Sequence, residues 1–280
     1  MDDGEERGQS MGSSRGGSLI DRRLLAVPVI VAVNVLVFLA WQVARSYPPL
    51  EQVMAANFLV SATHLMHGRV WTLVTAAFSH IEFWHIGINM LVLWSFGSLL
   101  ERLWGIRVFV VFYLVAAVVS SVSHCFVSTV FMHNPDIQAL GASGAVSGLL
   151  LAFALMFPHH RILVFGLIPI PALIGALAFV AIDVWGLFAQ SRGGGLLIGH
   201  GAHLGGALCG FLFWASYLRT RFRRPPAGAA APMSMSQQEV EEFQRLRRKL
   251  DREGPQALTP KEKAFLENIR ERVMRAHSGQ

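Results

Sequence analysis

Three short segments carry polar side chains into otherwise strongly apolar sequence. They are His80-Ile81-Glu82-Phe83-Trp84-His85-Ile86-Gly87-Ile88-Asn89, Gly141-Ala142-Ser143-Gly144, and Ala202-His203-Leu204-Gly205-Gly206 with Gly210 following. Ionisable and strongly polar groups inside hydrocarbon are costly, so they mark function by default. A serine, a histidine and further N–H donors are the parts needed for acyl transfer. They supply a hydroxyl nucleophile, a base to take its proton and donors to hold a developing oxyanion.

Each segment also has a plainer reading. Gly141 and Gly144 flank Ser143 with the small residues that close helix packing demands, and packing alone would explain them. Position favours a nucleophile: Ser143 opens an apolar run, where unpaired backbone N–H groups and the positive helix end suit an oxyanion. Gly199, Ala202, His203, Gly206 and Gly210 share one helix face at spacings of three, four and seven. An imidazole on that face is a base, or a hydrogen bond that holds two helices together. His85 and Asn89, four apart, share another face, and both can donate to an oxyanion. His200 lies nearer the surface and off the His203 face, so it is expected to be solvated. Asp183, late in its apolar run, is read as a rim or water-facing group, leaving a Ser-His dyad. Zinc is not expected. Its imaginable ligands are His80, His85, His200 and His203, but five apart does not align two ligands on a helix, no acidic or thiol ligand is expected to join them, and there is no His-Glu-x-x-His pattern.

The elements that must position these groups are membrane spans. The 280 residues are 53% hydrophobic and 15% charged, with mean hydropathy +0.45, too apolar for a soluble domain of this size. Six spans are expected, near Leu24–Ala44, Phe83–Leu103, Val108–Val130, Ser143–Phe157, Ile162–Phe188 and Leu196–Leu218. The fold class is therefore all-α, a six-helix polytopic bundle. With the N-terminus in the cytoplasm, the cytoplasmic flanks hold nine arginines (22, 23, 102, 107, 161, 219, 221, 223 and 224). The opposite flanks hold three (45, 69 and 192). The second, fourth and sixth spans then all run inward from the outer face. His85 and Asn89, Ser143, and His203 fall in their early turns, at one depth.

Around this core (residues 23–220), three further parts are expected. Residues 1–22 form a polar cytoplasmic N-terminus whose acidity argues against a mitochondrial transit peptide. Residues 221–235 form a Pro/Ala-rich linker. Residues 236–280 form a cytoplasmic helical hairpin with capping boxes at Ser236–Glu239 and Thr259–Glu262 and a break at Gly254-Pro255. Tyr47–Val70 reads as an amphipathic element at the outer interface. The whole net charge of +6 sits in Arg219–Gln280, where 14 Lys+Arg face 8 Asp+Glu. A basic tail directly after a span reads as a cytoplasmic anchor at anionic lipid, with no nucleic-acid partner. Cys125 and Cys209, both in apolar segments, imply no disulfide framework.

Over Leu24 to Leu218 the chain resembles the rhomboid intramembrane serine proteases. Four family patterns match in order: His80, His85 and Asn89; Gly97, Glu101 and Gly105; Gly141 to Gly144; and Ala202, His203, Gly206 and Gly210. The resemblance implies Ser143 as nucleophile and His203 as general base, with His85, Asn89 and the Ser143 amide forming the oxyanion hole. It implies no cofactor, a lipid bilayer as surroundings and a transmembrane protein segment as substrate. Two positions depart from the pattern. Thr72 follows Trp71 where the family often has arginine. Ser147 stands where an aromatic ring often packs on the histidine, so something else must orient His203. The expected activity is intramembrane endopeptidase in a cell membrane, of the bacterial inner-membrane type, with both termini cytoplasmic. The alternatives are a rhomboid-like protein that binds membrane clients without cutting them, and a small transporter. Absence of an internal repeat or a second polar cluster weighs against the transporter.

Overall fold

The computed structural model describes residues 24–164, 167–194, 199–221, 236–253 and 257–278. The polar N-terminus, residues 222–235 of the linker and the Gly254-Pro255 break lie outside the described residues. The chain divides into two compact units, Met1–Arg221 and Phe222–Gln280.

The first unit begins with α1 (Ala26–Ala44), followed by the short helices α2 (Pro48–Phe58), α3 (Ala62–Met66) and α4 (Thr72–Thr75). A second long run comprises α5 (Phe83–Val92), a wide turn at Leu93–Gly97 and α6 (Ser98–Trp104). Then come α7 (Ile106–Val130) and α8 (Ser143–Met156), and the strands β1 (Arg161–Val164) and β2 (Ile168–Pro171). The unit closes with α9 (Ala172–Ser191), α10 (His200–Phe213), a wide turn at Trp214–Leu218 and α11 (Arg219–Arg221). Among the described residues, four helices are long and apolar enough to cross a membrane: α1, the Phe83–Trp104 run, α7 and α9, at 19 to 25 residues each. The 14-residue α8 is shorter and equally apolar. The protein is an all-α multi-pass membrane protein.

One expected span is corrected. The run expected at Ile162–Phe188 becomes helical only at Ala172. The stretch before Ala172, from Arg161 on, holds the antiparallel β1–β2 pair, with Arg161 opposite Pro171 and Val164 opposite Ile168. Pro169 and Pro171 lack the N–H a helix interior needs, and Ile168 and Ile170 beside them favour extended backbone.

Two features lock the bundle. The Glu101 carboxylate, 3% exposed, accepts from the N–H groups of Leu25, Ala26 and Val27 at 2.8, 2.9 and 2.9 Å. It thereby caps the start of α1 from the end of the second run, and the positive end of α1 favours that charge. Secondly, α8 and α10 pack backbone to backbone. A Cβ on Gly206 would collide with the Gly144 carbonyl, one on Gly210 with the Gly148 carbonyl, and one on Gly148 would lie 2.7 Å from the Gly206 carbonyl. The small residues around Ser143 and His203 thus do serve packing. That packing sets two helices at the separation at which a serine on one can reach a histidine on the other.

The second unit is a pair of helices, α12 (Gln237–Glu253) and α13 (Pro260–Ser278). Both expected capping boxes form. Ser236 N–H donates to Glu239 (2.8 Å) and Glu239 N–H to Ser236 Oγ (3.2 Å); Thr259 and Glu262 repeat the exchange at 2.7 and 3.3 Å. Leu246, Leu258 and Ile269 are buried, and Arg272–Glu239 and Lys249–Glu262 ion pairs at 2.6 and 3.0 Å link the helices.

Candidate active site

Ser143 is the first residue of α8, so its backbone N–H lies in the turn without intrahelical acceptors. The loop that delivers it is tied down from several sides. Val60 and Ala139 exchange both backbone hydrogen bonds, at 3.0 and 2.8 Å, and Gly141 N–H donates to the Ala76 carbonyl at 2.8 Å. Ala142 N–H donates to His80 Nε2 at 3.2 Å. His80 is fully buried; that burial, with His85 beside it, pushes its pKa down to about 3, so Nε2 stays an acceptor. Gly141 has φ 116°, and a Cβ there would lie 2.6 Å from the His85 ring. Only glycine permits both that backbone and that approach.

Across the helix interface Ser143 Oγ and His203 Nε2 are 2.8 Å apart. His203 Nδ1 is 3.0 Å from Asp183 Oδ1 on α9. A carboxylate oxygen only accepts, so Nδ1 carries the ring proton and Nε2 is left to accept from the serine hydroxyl. His203 is 9% exposed, whereas Ser143 is half-buried, so the hydroxyl remains reachable. Phe179, one turn before Asp183, lies against the His203 ring with centroids 5.5 Å apart and an interplanar angle of 31°. One face of α9 therefore supplies both the ring and the carboxylate that orient the imidazole. The departure at Ser147 is thereby explained. Its hydroxyl donates to the Ser143 carbonyl at 2.7 Å, and the aromatic partner comes from another helix.

Two expectations are corrected here. Asp183 is not a rim group: it is 2% exposed and bonded to His203. Nor is His200 solvated. It is 5% exposed, with Nδ1 2.7 Å from the same Asp183 Oδ1. Both errors concern helix phase. The positions near the outer ends of their spans were legible, but not which way α9 turns toward α10. The signal available was Phe179 four before Asp183, an aromatic and a carboxylate on one face. Asp183, His200 and His203 also form a group whose ligand atoms lie within 4.8 Å of one another, a spacing open to a metal. The two hydrogen bonds account for the same convergence.

The expected oxyanion donors His85 and Asn89 both lie on α5. The half-buried His85 ring sits over Gly141 and meets His80 edge-on, with centroids 4.8 Å apart. Asn89, 5% exposed, donates from Nδ2 to the carbonyl of His85 at 2.8 Å. An amide carries two hydrogens, so that bond fixes the side chain and leaves the second hydrogen for another acceptor. Thr72, the other departure, is buried and donates to the Arg69 carbonyl at 2.7 Å, closing its own turn.

The chain matches the Rhomboid domain model over residues 67–220. It is 32% identical over 206 residues to RHOMBOID-like protein 12, mitochondrial, of Arabidopsis thaliana, covering 69% of this chain and 59% of that protein. It is 34% identical over 191 residues to Rhomboid protein 1, mitochondrial, of Saccharomyces cerevisiae (67% and 51%). To the presenilin-associated rhomboid-like protein, mitochondrial, of Mus musculus it is 36% identical over 188 residues (66% and 46%). The chain thus spans about half the length of these relatives. The match covers the loop, the serine, the carboxylate and the histidine described above, and the chain belongs to the rhomboid family.

Proposed function

We propose that the protein is an intramembrane serine endopeptidase that cuts a transmembrane or juxtamembrane segment of another membrane protein. The observation that carries this reading is the 2.8 Å contact between Ser143 Oγ and His203 Nε2, with Asp183 behind the imidazole. Ser143 attacks the scissile carbonyl while His203 takes its proton, and the imidazolium then protonates the leaving amine. Asp183 holds the ring in the productive tautomer and stabilises it when charged. The oxyanion is held by the Ser143 amide, His85 and the free hydrogen of Asn89. Water then attacks the acyl-enzyme with His203 again as base. The half-buried serine leaves a route for that water.

The excess of arginine on the flanks assigned to the inner side supports cytoplasm-type placement of both termini. For the compartment, two readings pull apart. The relatives' names support a mitochondrial membrane, whereas the expectation above is a bacterial inner membrane. Fractionation of native cells with an antibody to the chain distinguishes them.

The function is tested with a transmembrane reporter. Ser143→Ala removes one oxygen from a small-residue site and is expected to abolish cleavage while expression and insertion stay normal. Substantial cleavage by this variant would sink the serine mechanism. Normal insertion of a wild-type protein that binds the reporter but never cuts it would favour client binding instead.

A further inference from the structure

We propose that His200 is a positioning residue: it holds Asp183 in the orientation from which the carboxylate meets the catalytic imidazole. The proposal rests on the Ser143–His203–Asp183 reading above and adds a fourth member to it. Asp183 is 2% exposed in a bundle that crosses a membrane, where a carboxylate is expensive unless its lone pairs are used. Two N–H groups converge on its Oδ1, His200 at 2.7 Å and His203 at 3.0 Å, and the shorter contact belongs to the residue with no link to the serine. His203 must move charge and protons during turnover, so a second, passive donor is what keeps the carboxylate from following it.

The surroundings of His200 are built to hold that ring. Its two nitrogens face α9 at two positions three residues apart. Nδ1 meets Asp183, and Nε2 lies against Gly186, where any Cβ would collide with the ring. The same helix thus supplies a carboxylate to bind the imidazole and a gap to seat it. His200 and His203 both belong to the first turn of α10, so the carboxylate also lies at the positive end of that helix.

The test uses the full chain purified in detergent, with kcat and KM measured on one reporter. His200→Leu fills the space but loses the donor; His200→Asn keeps an N–H near the Nδ1 position. Asp183→Asn and the Asp183→Asn/His200→Leu pair complete a cycle. Losing a hydrogen bond to a charged group is expected to lower kcat about tenfold in His200→Leu, with KM unchanged and His200→Asn within about threefold of wild type. In the Asp183→Asn background His200→Leu should add nothing, because His200 acts only through that carboxylate. Gly186→Ala should reproduce the His200→Leu loss in wild type yet be harmless beside His200→Asn, which lacks the clashing Nε2. Wild-type kcat in His200→Leu, equal losses in both backgrounds, or no rescue by asparagine would each overturn the proposal. These results leave the protease reading intact if Asp183→Asn is itself impaired. An unimpaired Asp183→Asn would instead remove Asp183 from the mechanism and His200 with it.

Discussion

Ser143 and His203 are 60 residues apart in the chain and 2.8 Å apart in space. The roles proposed for them impose an order on substitutions. His203→Ala removes the base, for which His200 is no substitute because its Nδ1 is engaged with Asp183 and its Nε2 faces Gly186. Asn89→Ala removes one oxyanion donor among several, a loss bounded by the roughly 10²–10³-fold seen for one such donor in a soluble protease. Asp183→Asn should fall between them, at least about tenfold down, since it disturbs the tautomer without removing the base. Turnover of one reporter by the three variants at matched protein levels checks the order. A dead Asn89→Ala beside a near-normal His203→Ala would reverse the assigned roles. At this scale the sequence was legible where a residue type is rare in its setting, as with a serine and a histidine in small-residue apolar runs. It was not legible for Asp183 and His200. Their places near span ends fit solvated groups equally well, and only the packing of α9 on α10 turns them inward.

The small-residue faces of α8 and α10 carry the geometry. Gly206 approaches the Gly144 carbonyl so closely that a side chain must push the helices apart. Gly206→Val is therefore expected to lower the melting temperature, at a cost of about 1–3 kcal/mol or more for overpacking, and to lower activity more than tenfold by lengthening the serine–histidine contact. Melting in detergent and turnover at a temperature where the variant is folded separate the two effects. Retained full activity would mean the contact tolerates a wider interface. Element ends were legible when their signals were local. Both tail capping boxes formed where Ser-x-x-Glu and Thr-x-x-Glu stood. The start of the fifth span was misplaced because apolar content concealed two prolines that favour a hairpin, Pro169 and Pro171. Glu101 was legible as a motif member, but its use as the cap of α1 depends on two elements meeting, with 74 to 76 residues between donor and acceptor.

At the scale of the whole molecule, the groups proposed to be catalytic come from α5, α8, α9 and α10, with the loop before α8 pinned by residues 60–80. All lie within the first unit, Met1–Arg221. Removing the chain from Pro225 onward should therefore leave peptidase activity in detergent largely intact. An inserted but inactive truncation would make the tail part of the catalytic unit. That the protein crosses the membrane several times was evident from composition, and the alternation of outward and inward spans already brought three motifs to one depth. What composition could not supply was rotation about each helix axis, which decides whether groups at one level face one another or the lipid.

The most direct test of the account is covalent labelling of the purified wild-type protein by a serine-reactive fluorophosphonate, with the modified residue mapped by mass spectrometry. Only an activated serine reacts appreciably with such a probe, and the 2.8 Å contact to His203 is the activation claimed. The account predicts modification at Ser143, lost in Ser143→Ala and His203→Ala and slowed in Asp183→Asn. Labelling that is absent from folded wild type, or that maps to a different serine, or that persists undiminished in His203→Ala, would contradict it.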